Sequence, residues 1–129
     1  MKPLTHDWVK KAEEDFLVAS QIMRRKKQRA FNAACFHCQQ TVEKYFKARL
    51  HEAGIPFPKT HDLVELLKSL EAVEPLWSAY TSIARSLTGF AANFRYPGED
   101  ATVTEAKLAL KQCRSLRVEV RQSLGLKSR

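Results

Sequence analysis

Apolar residues recur every three or four positions through most of this chain. The longest clear run is Phe31, Ala34, Cys35, Cys38, Val42, Tyr45 and Phe46, a spacing that lines one side of an α-helix. Neither Gly nor Pro occurs between Pro3 and Gly54. An earlier run, Trp8, Val9, Ala12, Phe16, Ala19, Ile22 and Met23, has the same period, with Thr5 or Asp7 placed to cap it. Between the two lies Arg24-Arg25-Lys26-Lys27-Gln28-Arg29. In one continuous rod Arg24 would sit beside Lys27 and Arg25 beside Arg29, and like charges at those spacings repel. The pattern therefore predicts a break there. A second helix is predicted from about Ala30 to about Ala53, ended by Gly54.

Pro56 and Pro58 make Ile55 to Lys59 an extended connector. Thr60 is placed to cap a short third helix containing Leu63, Leu66, Leu67 and Leu70, with Asp62 and Glu65 in its first turn. Pro75 opens a fourth, with Leu76, Trp77, Tyr80, Ile83, Ala84 and Leu87, whose pattern weakens at Gly89. Gly89 to Asp100 is the least regular stretch. Its Phe90 and Phe94 suit the core, while Arg95 and Tyr96 carry polar tips. Thr102-Val103-Thr104-Glu105 reads as a capping box for a last helix, ended by Gly125. That helix sets Val103, Ala106, Leu110, Cys113, Val120 and Leu124 on its apolar side. Lys107, Lys111, Arg114, Arg117 and Arg121 form a basic stripe on the other. Nothing reads as a strand or a repeat. The expected fold is all-α: an antiparallel up-and-down bundle of four to five helices, one domain over residues 1–129.

Charge changes this picture at the ends of the chain. The net charge is +8, but residues 29–101 are neutral overall, residues 1–28 carry +3 and residues 102–129 carry +5. Such an excess suits a polyanionic partner: RNA, DNA, nucleotide phosphates or an acidic protein. As a charge block, Arg24 to Arg29 reads first as a solvated corner, with a phosphate clamp as the sharper alternative. No apolar run is long enough for a bilayer, no secretory signal opens the chain, and the cysteines number three. Reduced thiols in the cytoplasm are the expectation.

Beside the apolar side of the second helix runs a polar one: His37, Gln40 and Lys44, with Gln39, Glu43 and Lys47 next to them. It lines a cleft or is the wet side of an amphipathic helix. Cys35-x-x-Cys38 is not a metal or redox motif here. On a helix His37 points about 200° from Cys35, and a mid-helix pair lacks the N-terminal dipole that activates redox thiols. His61-Asp62 resembles the dyad of HD-type metal phosphohydrolases, but their further His and Asp are not compelled by any spacing. No metal or other cofactor is expected. The candidate ligand site is His37, Gln40, Lys44, His61, Arg95 and Tyr96. Its cations would meet phosphate, Gln40 a base edge, and Tyr96 a base face.

Phe36-His37-Cys38-Gln39-Gln40-Thr41-Val42-Glu43-Lys44, then Lys59-Thr60-His61-Asp62-Leu63, then Phe94-Arg95-Tyr96-Pro97 resemble, in order, the pieces of a HEPN domain (higher eukaryotes and prokaryotes nucleotide-binding). The resemblance implies a small helical nucleotide-binding or interaction module. It implies a homodimer, and a minimal nucleotidyltransferase as partner in toxin–antitoxin fashion. Many HEPN domains are RNases whose signature is an Arg followed, after four to six residues, by a His. No arginine here is followed by a His at that spacing, so the machinery is not carried over and a non-hydrolytic role is expected. Two alternatives stand: a diverged RNase toxin using His37 or His61 with Arg95, and a nucleic-acid binder using the stripe from Lys107 to Arg121.

Overall fold

A computed structural model describes residues 1–129. The helices are α1 (Pro3–Arg24), α2 (Phe31–Glu52), α3 (Leu63–Leu70), α4 (Thr81–Asn93) and α5 (Val103–Ser123), with a 3-10 segment, Pro75–Tyr80, leading into α4. No strand is present, as the periodicity predicts. Helix α2 is the axis: α1, α3, α4 and α5 all pack against it. Its buried residues include Ala34, Cys38, Val42, Phe46 and Leu50, but also Gln39, Thr41, Glu43 and Lys47. It is therefore enclosed around most of its circumference rather than along one side.

The break after α1 is where like-charge repulsion predicts it. Arg25 to Ala30 is not helical, Gln28 takes φ +53°, and Arg29 Nη2 donates to the Met23 carbonyl at 3.1 Å, satisfying an orphaned acceptor of the last turn. The start of α1 differs from expectation. Neither Thr5 nor Asp7 caps it; the helix begins at Pro3, whose fixed φ and missing N–H suit a first turn. Thr5 is instead fully buried. Its hydroxyl and the Lys2 backbone N–H both donate to Glu52 Oε1 at 2.9 Å, fastening the start of α1 to the end of α2.

Gly54, at φ +70°, ends α2 and releases the extended connector. The connector carries the chain back along α2, so that His61 lies beside Glu43. Helix α3 consequently runs in the same sense as α2, α4 returns, and α5 descends. The contacts of α5 fix its direction: the Ala101 N–H donates to Asn32 at one end and Arg49 donates to Ser123 at the other. The cap of α3 is Asp62, which accepts from the Val64 N–H at 2.9 Å, rather than Thr60. Helix α4 continues through Gly89 to Asn93, so the irregular segment is shorter than the composition suggests. Phe90 and Phe94 stack at 6.1 Å and pack on the core. The Thr102–Glu105 capping box forms as predicted, with reciprocal bonds of 2.9 and 3.1 Å.

The basic stripe of α5 is not continuous. Arg117 is buried and grips Glu13 of α1 through two bonds of 2.7 Å. Arg121 donates to the Tyr45 hydroxyl at 2.9 Å. Periodicity places these arginines beside the lysines, but α1 lies across that half of the helix and brings Glu13 to meet them. Cys35, Cys38 and Cys113 are fully buried. Burial and the nearby Glu105 charge push the Cys35 thiol up to about 11, so it stays protonated. No helix is long and apolar enough to cross a membrane.

Phe46 is fully buried and lies against Trp77, with ring centroids 6.3 Å apart. Phe46→Ala should cost about 3–5 kcal/mol of unfolding free energy. At Gly54 a Cβ would meet only Lys2 Nζ at 3.8 Å. Gly54→Ala should therefore cost only the backbone strain, about 1–2 kcal/mol. Urea unfolding of both variants checks the order; a larger loss at Gly54 would contradict this account of the core.

Candidate functional site

The polar side of α2 divides. His37 and Lys44, seven residues apart, project within about 20° of one another, whereas Glu43 points about 120° away from His37. The first pair therefore meets α1: His37 Nδ1 lies 2.8 Å from Asp15 Oδ1, and Lys44 Nζ lies 2.5 Å from Asp15 Oδ2. The second direction meets the connector. Glu43, 3% exposed, takes His61 Nδ1 at 2.9 Å, Lys47 Nζ at 3.0 Å and Gln39 Nε2 at 3.1 Å. Burial alone would raise the Glu43 carboxyl. The bonds from His61, Lys47 and Gln39 and the charge of Lys47 outweigh it and hold the group below the ordinary carboxylate value. The same balance, with Arg117, Tyr45 and Arg121 as the opposing partners, lowers Glu13.

The ionised Glu43 orders the polar groups beyond it. A carboxylate only accepts, so Gln39 must turn its NH₂ toward Glu43; that NH₂ also donates to the His61 carbonyl at 2.8 Å. The Gln39 amide oxygen is then the acceptor for Gln40 Nε2, at 2.8 Å. Gln40 is left presenting its amide oxygen. By the same logic His61 donates through Nδ1, and its Nε2 has no protein partner. Its side chain is 83% exposed.

These outward groups border one cleft of about 270 Å³, lined by Phe36, Gln39, Gln40, His61, Thr88, Ala91, Ala92 and Arg95. Of the six residues singled out in the sequence, the cleft gathers Gln40, His61 and Arg95. His37 and Lys44 lie on Asp15 instead, and Tyr96, 68% exposed, does not line it. Thr88 ties the floor together: its hydroxyl accepts from the Leu63 N–H at 3.1 Å and donates to the Ala84 carbonyl at 2.9 Å.

Sequence reasoning does not single out Asp15, Glu13 or Thr88, and names Phe36 only within a motif, because nothing in the spacing of one helix says which residue of another will face it. Glu43 carries a local signal, since Lys47 follows it by four residues, the spacing of a helical ion pair. The residues of the suggested metal dyad have other duties: Asp62 caps α3 and His61 rests on Glu43. His37 and Asp100, which could be proposed as the further His and Asp, lie on Asp15 and Asn32. No three His, Cys, Asp or Glu side chains gather as metal ligands would.

The family profile of the HEPN domain matches residues 5–123. The chain belongs to the HEPN family. The matched span runs from the buried Thr5 of α1 to the last residue of α5, so every helix described above is part of the HEPN domain. No curated protein and no solved structure matches the chain. In this HEPN domain the arginine nearest the cleft, Arg95, is followed by Tyr96-Pro97-Gly98-Glu99-Asp100. Its histidine neighbour comes instead from the connector before α3.

A carboxyl held below its unfolded value adds stability above that value, and the stability is lost as pH falls through the folded pKa. Glu43→Gln should therefore lower stability at pH 7, and should flatten the loss that wild type suffers on acidification below about pH 4.5. Urea unfolding at pH 7 and at pH 3.5 measures both. An unchanged acid slope in the variant would show that Glu43 is not ionised within the fold.

Proposed function

We propose that this chain is a nucleotide-binding and interaction module of the HEPN family, acting in the cytoplasm as a homodimer. Its partner in this reading is a minimal nucleotidyltransferase, in a toxin–antitoxin-like arrangement. The observation that carries the binding part is the convergence of Gln40, His61 and Arg95 on a single cleft. One wall, Phe36 with Ala91 and Ala92, offers apolar surface to a base. Arg95 supplies a cation, with no carboxylate on it, for phosphate. At about 270 Å³ the cleft lies just below the usual size of a small-ligand site, so it would enclose the base and leave the phosphates on the open side with Arg95. Gln40 offers an acceptor, which favours a base that presents an exocyclic amino group: adenine over hypoxanthine. His37 and Lys44 serve the site indirectly by holding α1 against α2. Tyr96, next in the chain after Arg95, is free to cover a bound base. The nucleotidyltransferase pairing and the homodimer both rest on the family resemblance.

Isothermal titration with ATP and ITP tests the reading. Arg95→Ala should weaken ATP binding about tenfold or more, as befits loss of a charge-assisted contact. ITP should bind about tenfold more weakly than ATP, and His37→Ala should retain ATP affinity. If wild type binds neither nucleotide, the polar groups serve only to tie the connector to α2.

The enzymatic alternative, a diverged RNase, draws on His61 and Arg95 sharing the cleft. There His61 would pass a proton through Nε2 beside a phosphate held by Arg95. Against it stands the missing Arg-x(4–6)-His spacing. Purified protein should leave single-stranded RNA intact under conditions where a HEPN domain with that spacing cleaves it. Cleavage abolished by His61→Ala would reverse the order of the two readings.

A further inference from the structure

The basic corner after α1 and the first half of the α5 stripe are about eighty residues apart in sequence, and the fold brings them to one place. Arg24 and Arg29 face Lys107, Lys111 and Arg114 across a cleft of about 330 Å³ between α1 and α5, with Ser20, Met23 and Leu110 completing its lining. It shares no residue with the cleft around Arg95. Every lining charge is positive, and none of the five cations makes an ion pair. Glu13 is paired with Arg117 and Asp15 with Lys44, while Glu105 and Asp100 bond only neutral groups, keep their charge and lie outside the lining. Like charges gathered in a concavity raise the local potential well above that of a flat basic surface.

Two further features distinguish this cleft from a solvated corner. Arg29 does not wave in solvent. Its Nη2 is bound to the Met23 carbonyl, its guanidinium lies 5.1 Å from the Phe31 ring centre, and its buried Nε has no protein partner. Ser20, 4% exposed, likewise has a hydroxyl with no partner. Buried donors without acceptors are uncommon and costly, and both of these belong to residues lining the cleft. A fixed guanidinium, a buried hydroxyl and four exposed cations together form a donor set for a group rich in acceptor oxygens.

We propose that the α1–α5 cleft binds a phosphate chain, with Arg29 and Ser20 at its floor and Arg24, Lys107, Lys111 and Arg114 around its rim. The chain is either a free oligophosphate or the backbone of a nucleic acid. The phosphate chemistry is common to both, and the site works independently of the cleft around Arg95.

The test is isothermal titration of the full chain with inorganic tripolyphosphate. A short single-stranded DNA and a polyglutamate peptide are run in parallel. Wild type should bind one tripolyphosphate per chain. The double variant Lys111→Gln/Arg114→Gln should bind about tenfold more weakly or worse. Lys10→Gln/Lys11→Gln, which removes the same charge from exposed positions of α1, should stay within about twofold. Arg95→Ala should have no effect. Thermal melting confirms that each variant folds, and Lys107→Gln gives a second, single-charge probe of the rim. If the DNA binds with the same variant dependence and tripolyphosphate displaces it, the phosphates are those of a nucleic-acid backbone. If only tripolyphosphate binds, the ligand is free oligophosphate. No binding, an equal loss in both double variants, or polyglutamate binding as tightly as tripolyphosphate would each overturn the proposal.

Discussion

A helix with neighbours on nearly every side has no flank on which a polar side chain reaches water freely. That is the position of α2, and the rest of the molecule follows from how its polar residues are satisfied. Gln39, Glu43 and Lys47 lie inside the bundle, with Lys44 and His37 at its margin. Such groups cost several kcal/mol each if buried without partners. The chain answers with carboxylates. Glu43 gathers Gln39, Lys47 and His61; Asp15 gathers His37 and Lys44; Glu13 gathers Tyr45, Arg117 and Arg121. Glu43 joins α2 to the connector, Asp15 joins it to α1, and Glu13, also on α1, joins both α2 and α5, so the ionic contacts also fix which neighbour lies where.

The same constraint decides what is left over for a ligand. An acceptor-only group at the centre forces every amide and imidazole around it into one orientation. What emerges at the surface is the far end of each chain: the Gln40 oxygen and the His61 Nε2, with Arg95 brought alongside by the end of α4. A site of this kind is specified from the inside outward.

Much of the fold was legible because its helices announce themselves locally. The break at Arg24 to Arg29, the stop at Gly54 and the capping box at Thr102 each depend on residues within a few positions, and each is present. The positions that misled are those where a distant residue competes. Thr5 reads as a cap, yet Glu52 takes its hydroxyl, and Pro3 starts the helix instead. Gly89 reads as a breaker, yet packing carries α4 past it. Arg117 looks like its neighbour Lys111 until α1 delivers Glu13. The candidate site was legible in the same measure. Gln40, His61 and Arg95 meet, but the parting of His37 and Lys44 from them depends on which side α1 lies, and one helix's periodicity cannot express that. The extended connector is the other hidden variable, since it sets α3 running alongside α2 and delivers His61 to Glu43.

The three cysteines acquire a use from their enclosure. Cys35, Cys38 and Cys113 sit where no reagent reaches them, and burial keeps the Cys35 sulfur in its unreactive form. Alkylation can then proceed only through excursions in which α2 and α5 come apart. The native molecule thus carries an internal clock for its own breathing, and labelling kinetics would report the free energy of that opening without any probe being added.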